Sequence, residues 1–167
     1  YLAGTYVRDK DAVVASMLIC EMAAYYRSIG MSLLDAREAM YKKYGNYVHT
    51  VESFTCEGAS GMEEMAKIMD DLHANTPDSI AGFKVVKVAD YLSSVTTDLA
   101  TKKTEPITLP KSDVICFTLE NGATVIIRPS GTEPKIKAYY TTIAANRADA
   151  EALSKKLSAD FKAKLGF

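Results

Sequence analysis

The segment IRPSGTEP, residues 127–134, is a short turn bracketed by two prolines, with strand-like residues on both sides. Arg128 carries a planar fork of donors that matches the oxygens of a phosphate group. Ser130 and Thr132 can each donate a hydroxyl hydrogen, and Gly131 lets the backbone turn so that N–H groups converge on an anion. The residue types therefore predict an oxyanion site, although an ordinary loop between strands uses the same turn residues.

The residues on both sides of this turn alternate in the way expected of paired strands. Residues 113–120 and 123–128 predict two strands, and the Asn121-Gly122 pair between them is typical of a type I′ hairpin turn. A further strand is predicted over residues 135–143. The anion-binding turn is therefore expected to join two strands of one antiparallel sheet.

The remainder of the C-terminal region predicts helices packed against that sheet. Residues 47–56 and 83–90 are rich in β-branched residues and predict strands, and a capping box at Ser60 begins a helix between them. Residues 93–112 are rich in Ser, Thr, Lys and Pro and predict a long loop, and Asn146 caps a final helix. This order predicts an α+β fold, an antiparallel sheet with helices packed on one face.

The N-terminal region predicts a helical hairpin that precedes the sheet. The first helix, capped by Asp9 or Asp11 and ended by Gly30, is apolar on nearly every face; the second is capped by Ser32. A helix without a polar face is normally buried on all sides. We therefore expect protein outside this sequence to cover the first helix, or else self-association through it.

Composition argues against several classes of protein. The chain has 20 basic and 21 acidic residues and a net charge of -1, which argues against a nucleic-acid-binding protein. Cys20, Cys56 and Cys116 lack metal-ligand spacing and are odd in number, which argues against a zinc site or a disulfide framework and favours a reducing compartment. The most apolar stretch, residues 12–20, is too short to span a bilayer, so no membrane partner is expected.

Several stretches of this sequence resemble one enzyme family. The string RPSGTEPK, residues 128–135, resembles the phosphate-binding loop in the last domain of the α-D-phosphohexomutases, a family that includes phosphoglucomutase and phosphomannomutase. Residues 1–11, YLAGTYVRDKD, resemble the segment that follows the sugar-binding Glu-Glu-Ser motif in the phosphoglucomutase branch. Residues 51–61 and the hairpin region 119–140 resemble the same branch, so the resemblance covers most of the chain.

The resemblance implies a site and a reaction. Arg128, Ser130, Gly131 and Thr132 would contact the phosphate at the end of a hexose phosphate that does not react. The family interconverts hexose 1-phosphate and hexose 6-phosphate through a phosphoserine and a sugar bisphosphate. A cytoplasmic enzyme that uses Mg²⁺ and glucose 1,6-bisphosphate is therefore implied for the parent protein.

The resemblance also implies a division of the chain and a missing partner. Residues 1–45 would be the helical end of the third mutase domain, and residues 46–167 the C-terminal domain with its TATA-binding-protein-like fold. The family's Ser-His-Asn catalytic loop, Asp-Gly-Asp metal loop and Glu-Glu-Ser sugar motif have no counterpart in this sequence. We therefore expect a C-terminal piece that needs the N-terminal mutase domains for activity and is inactive alone.

Other interpretations of the same residues remain open at this stage. Lys135 and Lys137 share one face of the strand that leaves the turn; they either add positive potential to the site or are solvated surface lysines. The chain could instead be a stand-alone phosphate- or nucleotide-binding module. A hydrolase with Ser130 as nucleophile lacks the leading glycine and a following histidine of a nucleophile elbow, and a nucleic-acid platform disagrees with the charge balance.

Overall fold

The computed structural model describes residues 3–4 and 9–167 of the chain. Contacts between Cα atoms divide the chain into two compact units, residues 1–45 and 46–167. Most of the segment 1–11, on which part of the family resemblance rests, lies outside the described residues. The assignment of the two units to particular mutase domains stays a prediction.

The first unit contains helices α1 (Ala12–Ser28) and α2 (Leu33–Tyr44) among its described residues. Asp11 caps α1, because its carboxylate accepts hydrogen bonds from the first backbone N–H groups of the helix. Asp9, the other candidate, contacts Lys10 instead. Gly30 follows the end of α1 with a φ of 76°, a left-handed conformation that suits glycine.

The predicted helical hairpin is wrong in its geometry. Ser32 and Asp35 form a reciprocal capping box that starts α2, as the Ser32 cap predicted. However, the direction of the chain changes by 87° between the two helices, so α2 does not run back antiparallel to α1. The left-handed Gly30 and the new cap at Ser32 restart the helix in a different direction, which sequence periodicity does not encode.

Helix α1 exposes the apolar surface that its sequence predicts. None of its residues is buried, and Val13 and Met17 are 72% and 68% exposed. No single helix in the described residues is long and apolar enough to cross a membrane, although α1 and α2 taken together across their bend reach that length and composition. The first unit therefore presents apolar side chains that its own helices do not cover.

The second unit is an antiparallel sheet with two helices, α3 (Gly61–Ala74) and α4 (Arg147–Leu165). Its strands follow one another along the chain as β1 (Asn46–Thr55), β2 (Ser79–Ile80), β3 (Phe83–Asp90), β4 (Val95–Asp98), β5 (Thr104–Pro106), β6 (Ile115–Leu119), β7 (Thr124–Pro129) and β8 (Lys135–Ala144). The order in the sheet is β1-β8-β7-β6-β3-β4-β5, and β2 pairs with β3. The predicted α+β fold with an antiparallel sheet is confirmed.

Both helices contribute to one core on one face of the sheet. The ring of Phe161 in α4 packs 6.5 Å from both Phe117 of β6 and Tyr140 of β8, and Met69 of α3 belongs to the same cluster. The opposite face, which we call the open face, carries the alternate strand residues. In strands β1, β7 and β8 this face consists of Tyr47, His49, Val51, Ser53 and Thr55 of β1, Lys135, Lys137, Tyr139, Thr141 and Ile143 of β8, and Thr124, Ile126 and Arg128 of β7.

A row of polar contacts joins α4 to the outer strands of this core. The hydroxyl oxygens of Thr50 and Ser154 lie 2.6 Å apart, and the Ser158 hydroxyl donates to the Glu52 carboxylate at 2.5 Å. The buried Thr142 hydroxyl donates to a carbonyl in the first turn of α4 at 2.8 Å. Thr142 and Ser154 are buried and would be costly to leave unpaired, so their hydrogen bonds help to fix where α4 lies along β1 and β8.

The hairpin between β6 and β7 is confirmed, but the predicted type I′ turn is wrong. Of the two central residues only Gly122 has a positive φ, 82°, whereas a type I′ turn needs two. The N–H of Gly122 donates to the carbonyl of Leu119, and the N–H of Leu119 donates to the carbonyl of Ala123. The loop is therefore a three-residue turn with Gly122 in the left-handed position, and the Asn121 side chain accepts from the N–H of Ala123.

The predicted loop at residues 93–112 contains strands β4 and β5. The carboxylate of Asp98 accepts hydrogen bonds from the backbone N–H and the hydroxyl of Thr101, at 2.7 and 2.9 Å, and so closes the turn between them. Threonine counts as a polar loop residue by composition, but its β-branched side chain also favours a strand. In this segment the pairing of β4 with β3 favours a strand over a loop.

Helix α3 begins differently from its sequence prediction. Ser60 precedes it with φ -90° and ψ 3°, which is not the extended conformation of a capping residue, and its side chain makes no capping bond. The predicted capping box of Ser60 with Glu63 is therefore absent. Close packing positions the start of the helix instead, because Gly61 lies against the Cys56 carbonyl and Pro134.

The end of α3 is held by an imidazole between two carboxylates. Nε2 of His73 lies 2.9 Å from Oδ1 of Asp113, and Nδ1 lies 3.0 Å from Oδ1 of Asp90, out of line for a hydrogen bond. Burial alone would raise the pKa of Asp90, but hydrogen bonds from Ser93 and Leu92 and the charge of His73 outweigh it and hold that pKa below its usual value.

We predict that Gly61→Ala lowers the free energy of unfolding by about 1–3 kcal/mol. A Cβ at this position would lie 2.2 Å from the Cys56 carbonyl oxygen, so backbone must move. Urea unfolding followed by circular dichroism measures the change. Gly131→Ala is the matched control, since its Cβ would meet nothing within 4 Å and its φ is outside the left-handed region; equal stability of both variants contradicts the prediction.

We predict that Asp90→Asn destabilises the fold by about 1–3 kcal/mol at pH 7, because it removes a charged hydrogen-bond acceptor. The folded pKa of Asp90 lies below its unfolded value, 3.8. Its ionised form therefore stabilises the fold above that value, and the contribution is lost as pH falls through the folded pKa. Urea unfolding at several pH values should show the difference from wild type shrinking below about pH 3.8; a difference independent of pH contradicts the prediction.

Candidate phosphate-binding site

The turn at residues 130–134 joins the ends of β7 and β8. Pro129 and Ile136 form the last register pair of the two strands, and the N–H of Ser130 donates to the carbonyl of Lys135 at 2.8 Å. Within the turn, the N–H of Lys135 donates to the carbonyl of Glu133 at 2.7 Å. The two strands therefore fix both ends of the predicted anion-binding turn.

A neighbouring element holds the turn from the side. The N–H of Cys56, just after β1, donates to the carbonyl of Pro134 at 2.8 Å. Gly61 at the start of α3 packs so closely here that an added Cβ would lie 3.0 Å from Pro134 Cβ. The turn is thus attached to β1 and α3 as well as to its own strands, which lowers its freedom before any ligand binds.

The tip of the turn offers hydrogen-bond donors with few internal acceptors. The backbone N–H groups of Gly131 and Glu133 donate to no acceptor within the described part of the chain. The N–H of Thr132 lies 3.4 Å from the Ser130 hydroxyl, a long contact, and the Thr132 side chain is exposed. These N–H and hydroxyl groups are available to an external acceptor such as a phosphate oxygen.

The backbone conformation of Gly131 is one that other residues also adopt. Its φ lies outside the left-handed region, so the turn does not require glycine for its backbone conformation. The space beside it is open, because an added Cβ would meet nothing within 4 Å. The glycine therefore leaves the backbone here open to approach by an external group.

Arg128 and Lys137 lie side by side on the open face next to this turn. They are direct register partners in β7 and β8, and both side chains are exposed. Neither forms an ion pair with a carboxylate in residues 3–4 and 9–167. Like charges directly opposite each other destabilise a sheet, so an anion shared between them would relieve a cost that the protein otherwise bears.

The two lysines that follow the turn differ in their surroundings. Lys135 and Lys137 share the open face, as their alternation predicted, but Nζ of Lys135 lies 3.3 Å from a carboxylate oxygen of Glu133. That contact reduces the positive potential that Lys135 adds. The sequence alone does not distinguish the two lysines. The register of β7 against β8 does, because it places Lys137 directly opposite Arg128.

The hydrolase interpretation of Ser130 finds no general base. His49 has Nδ1 3.0 Å from the hydroxyl of Thr141, and His73 contacts Asp90 and Asp113. No described histidine contacts Ser130, so its hydroxyl has no activating partner of the kind a nucleophile needs. In the described residues no three His, Cys, Asp or Glu side chains are grouped so that they could hold a metal ion.

Comparison with known proteins places this arrangement in a family. The family model for the C-terminal domain of phosphoglucomutase/phosphomannomutase matches residues 56–152, more than half of the chain and including the whole turn. The exocytosis-sensitive phosphoprotein pp63/parafusin of Paramecium, a phosphoglucomutase, has the same fold in its open form. That comparison gives a TM-score of 0.56 with 14% identity, covering 96% of this chain and 28% of the other.

Curated relatives agree in sequence over most of the chain. A phosphoglucomutase of Staphylococcus aureus strain bovine RF122 / ET3-1 is 40% identical over 141 residues, covering 84% of this chain and 25% of the relative. A phosphoglucomutase of Staphylococcus epidermidis is 37% identical over 141 residues, covering 84% and 26%. The chain spans about a quarter of the length of these relatives. The match of the domain model shows that this chain belongs to the phosphoglucomutase/phosphomannomutase family and contains its C-terminal domain.

Proposed function

We propose that this chain is part of a hexose-phosphate mutase and holds the substrate's non-reacting phosphate with Arg128, Ser130, Gly131 and Thr132. The observation that supports this most directly is the cation pair on the open face. Arg128 lies opposite Lys137 without a carboxylate partner in the described residues, beside a turn whose tip has unused N–H donors. Lys137 is therefore added to the proposed site, whereas Lys135, paired with Glu133, contributes less.

The proposed site suits a reaction in which either end of the sugar must be held. The interconversion of hexose 1-phosphate and hexose 6-phosphate passes through glucose 1,6-bisphosphate, which reverses its orientation between two half-reactions. A site that recognises only phosphate accepts both orientations. By fixing one phosphate it positions the other against the phosphoserine of the parent enzyme, and positioning alone can contribute several kcal/mol to catalysis.

The catalytic serine, the magnesium ligands and the sugar-binding motif would come from the remaining domains of the parent enzyme. We infer that residues 1–45 are the end of the third mutase domain and that this domain covers the apolar surface of α1. On this proposal the chain alone is inactive. The free cysteines Cys20, Cys56 and Cys116 support a reducing compartment and our proposal of a cytoplasmic enzyme.

A stand-alone phosphate- or nucleotide-binding module is the alternative. The turn and the cation pair would serve both functions equally well. The exposed apolar residues of α1 favour the mutase, because an independent module has no reason to leave them uncovered. The relatives that share the sequence are phosphoglucomutases of which this chain covers about a quarter, which favours the same choice.

We predict that Arg128→Ala raises the Kd for inorganic phosphate and for glucose 1-phosphate at least tenfold, to a similar extent for both. A charged hydrogen bond contributes about 1.5–3 kcal/mol, and about 1.4 kcal/mol corresponds to tenfold. Lys137→Ala should weaken the binding of both ligands in the same way. An amide NMR titration measures this; in the wild-type chain, shifts should centre on residues 128–132 with a Kd on the order of millimolar.

The control for this titration removes an equal charge elsewhere. Lys155 lies on the exposed surface of α4, on the other side of the sheet. The variant Lys155→Ala should therefore leave both Kd values unchanged. A loss of binding in Lys155→Ala equal to that in Arg128→Ala would mean that net charge alone matters. Unchanged binding in Arg128→Ala would sink the assignment of the site.

We predict that the chain self-associates through α1 and that Val13→Gln with Met17→Gln weakens this association. Both residues are largely exposed, and glutamine keeps the helix propensity while removing apolar surface. Sedimentation velocity over a range of concentrations measures the change in mass. Leu109→Gln, which removes a 61% exposed apolar residue from the second unit, should have no effect; a chain that stays monomeric at every concentration contradicts the prediction.

A further inference from the structure

The open face carries a tyrosine immediately beside the proposed phosphate site. We propose that Tyr139 is the platform on which the ring of a hexose phosphate lies while Arg128 and Lys137 hold its phosphate. This inference rests on the proposed function and goes beyond it, because it assigns a sugar contact to residues 46–167. The partner chemistry is a phosphate monoester that carries a six-membered sugar ring.

Strand register places the tyrosine one row from the cations. Arg128, Lys137 and Ser53 form one row across β7, β8 and β1, and Ile126, Tyr139 and Val51 form the next. Neighbouring strands are about 4.8 Å apart, and consecutive residues on one face of a strand are about 6.8 Å apart. Tyr139 is therefore the next residue after Lys137 on this face of β8 and the diagonal neighbour of Arg128 across the strand pair.

The size of a hexose phosphate matches this spacing. Its ring begins only a few bonds from phosphorus, so a phosphate shared by Arg128 and Lys137 leaves the ring about one row away. From that phosphate the sugar ring can extend along the strands in two directions. In one direction it passes the ends of the strands, and in the other it lies over Tyr139. In the second direction the C–H groups of the sugar meet an aromatic ring, which is the kind of apolar surface that lines small-molecule sites.

The surroundings of Tyr139 suit a ligand surface. It is half-buried, whereas its chain neighbour Tyr140 is 1% exposed and belongs to the core. Its row also contains Val51, which is 55% exposed, and the half-buried Ile126. The free face of an antiparallel sheet is normally polar, so the apolar row of Tyr139 beside two cations without carboxylate partners offers apolar contact area to a ligand that those cations hold.

The phenol adds one polar contact to this surface. In the described part of the chain the Tyr139 hydroxyl forms no hydrogen bond, so it can donate to or accept from a sugar hydroxyl. A flat ring with one adaptable hydroxyl does not depend on which end of the sugar carries the bound phosphate. The platform is therefore compatible with the reversal of the bisphosphate that the proposed reaction requires.

The test separates recognition of the ring from recognition of the phosphate. Glucose 1-phosphate is titrated against glycerol 3-phosphate, a phosphate monoester without a ring, and Kd is measured for each by amide NMR. In the wild-type chain glucose 1-phosphate should bind more tightly. Tyr139→Thr, which keeps a strand-forming residue, should weaken glucose 1-phosphate about threefold to tenfold, equivalent to about 0.7–1.4 kcal/mol, and leave glycerol 3-phosphate unchanged.

Two control variants keep this test specific. Tyr139→Phe retains the ring and should keep most of the preference for glucose 1-phosphate. Tyr47→Thr removes a tyrosine from the same face, about 20 Å along β1 from the cation row, and should change neither Kd. Tyr47→Thr makes the same replacement elsewhere on the same face, and Tyr139→Phe keeps the ring in place, so together they separate a ligand contact from a general effect of the substitution.

The outcomes distinguish this inference from the proposed function. If the wild-type chain binds both monoesters equally, or if Tyr139→Thr weakens both equally or neither, the sugar platform is wrong while the phosphate site stands. If neither monoester binds and Arg128→Ala changes nothing, the proposed function fails and the platform fails with it. Selective loss of glucose 1-phosphate in Tyr139→Thr alone supports the platform.

Discussion

The antiparallel register of β7 against β8 determines what both faces of the sheet present. Ile127 lies opposite Ala138, and both are completely buried beneath the helices. The next pair along, Arg128 and Lys137, must then lie on the other face, because successive side chains alternate. A slip of one residue would place cations in the core and apolar residues in water, at a cost of several kcal/mol for each buried charge. The hydrophobic effect on one face thus holds two like charges together on the other.

Segments whose periodicity agrees with their burial were predictable from the sequence. The last strand was predicted over residues 135–143 and spans Lys135–Ala144, and Asn146 caps the final helix as expected. Errors arose where tertiary contacts override local preference. The threonines of β4 form a strand because β3 pairs with them, and Ser60 does not cap α3 because close packing of Gly61 sets its backbone. The turn at Gly122 depends on how β6 and β7 meet, which the Asn-Gly pair alone does not specify.

The candidate site was predictable in its composition and not in its arrangement. The string from Arg128 to Lys135 contains the donors, and its residue types indicate an anion without any structure. The importance of Lys137 depends on register, which is fixed by the bond from the Ser130 N–H to the Lys135 carbonyl. A turn one residue longer would place Lys137 beside a different residue of β7. For the same reason the proximity of Tyr139 to the cations appears only once the strands are paired.

The contacts that support the candidate turn all come from the second unit. The turn is attached to β1 through the Cys56 N–H and to α3 through the packing of Gly61, and α3 is attached at its other end through His73. All of these contacts lie within residues 46–167, which also contain the whole buried core. Helix α1 buries none of its residues, so packing within the described residues adds little to its stability. The geometry of the phosphate site therefore depends on the sheet and α3, whereas the catalysis we propose depends on domains beyond them.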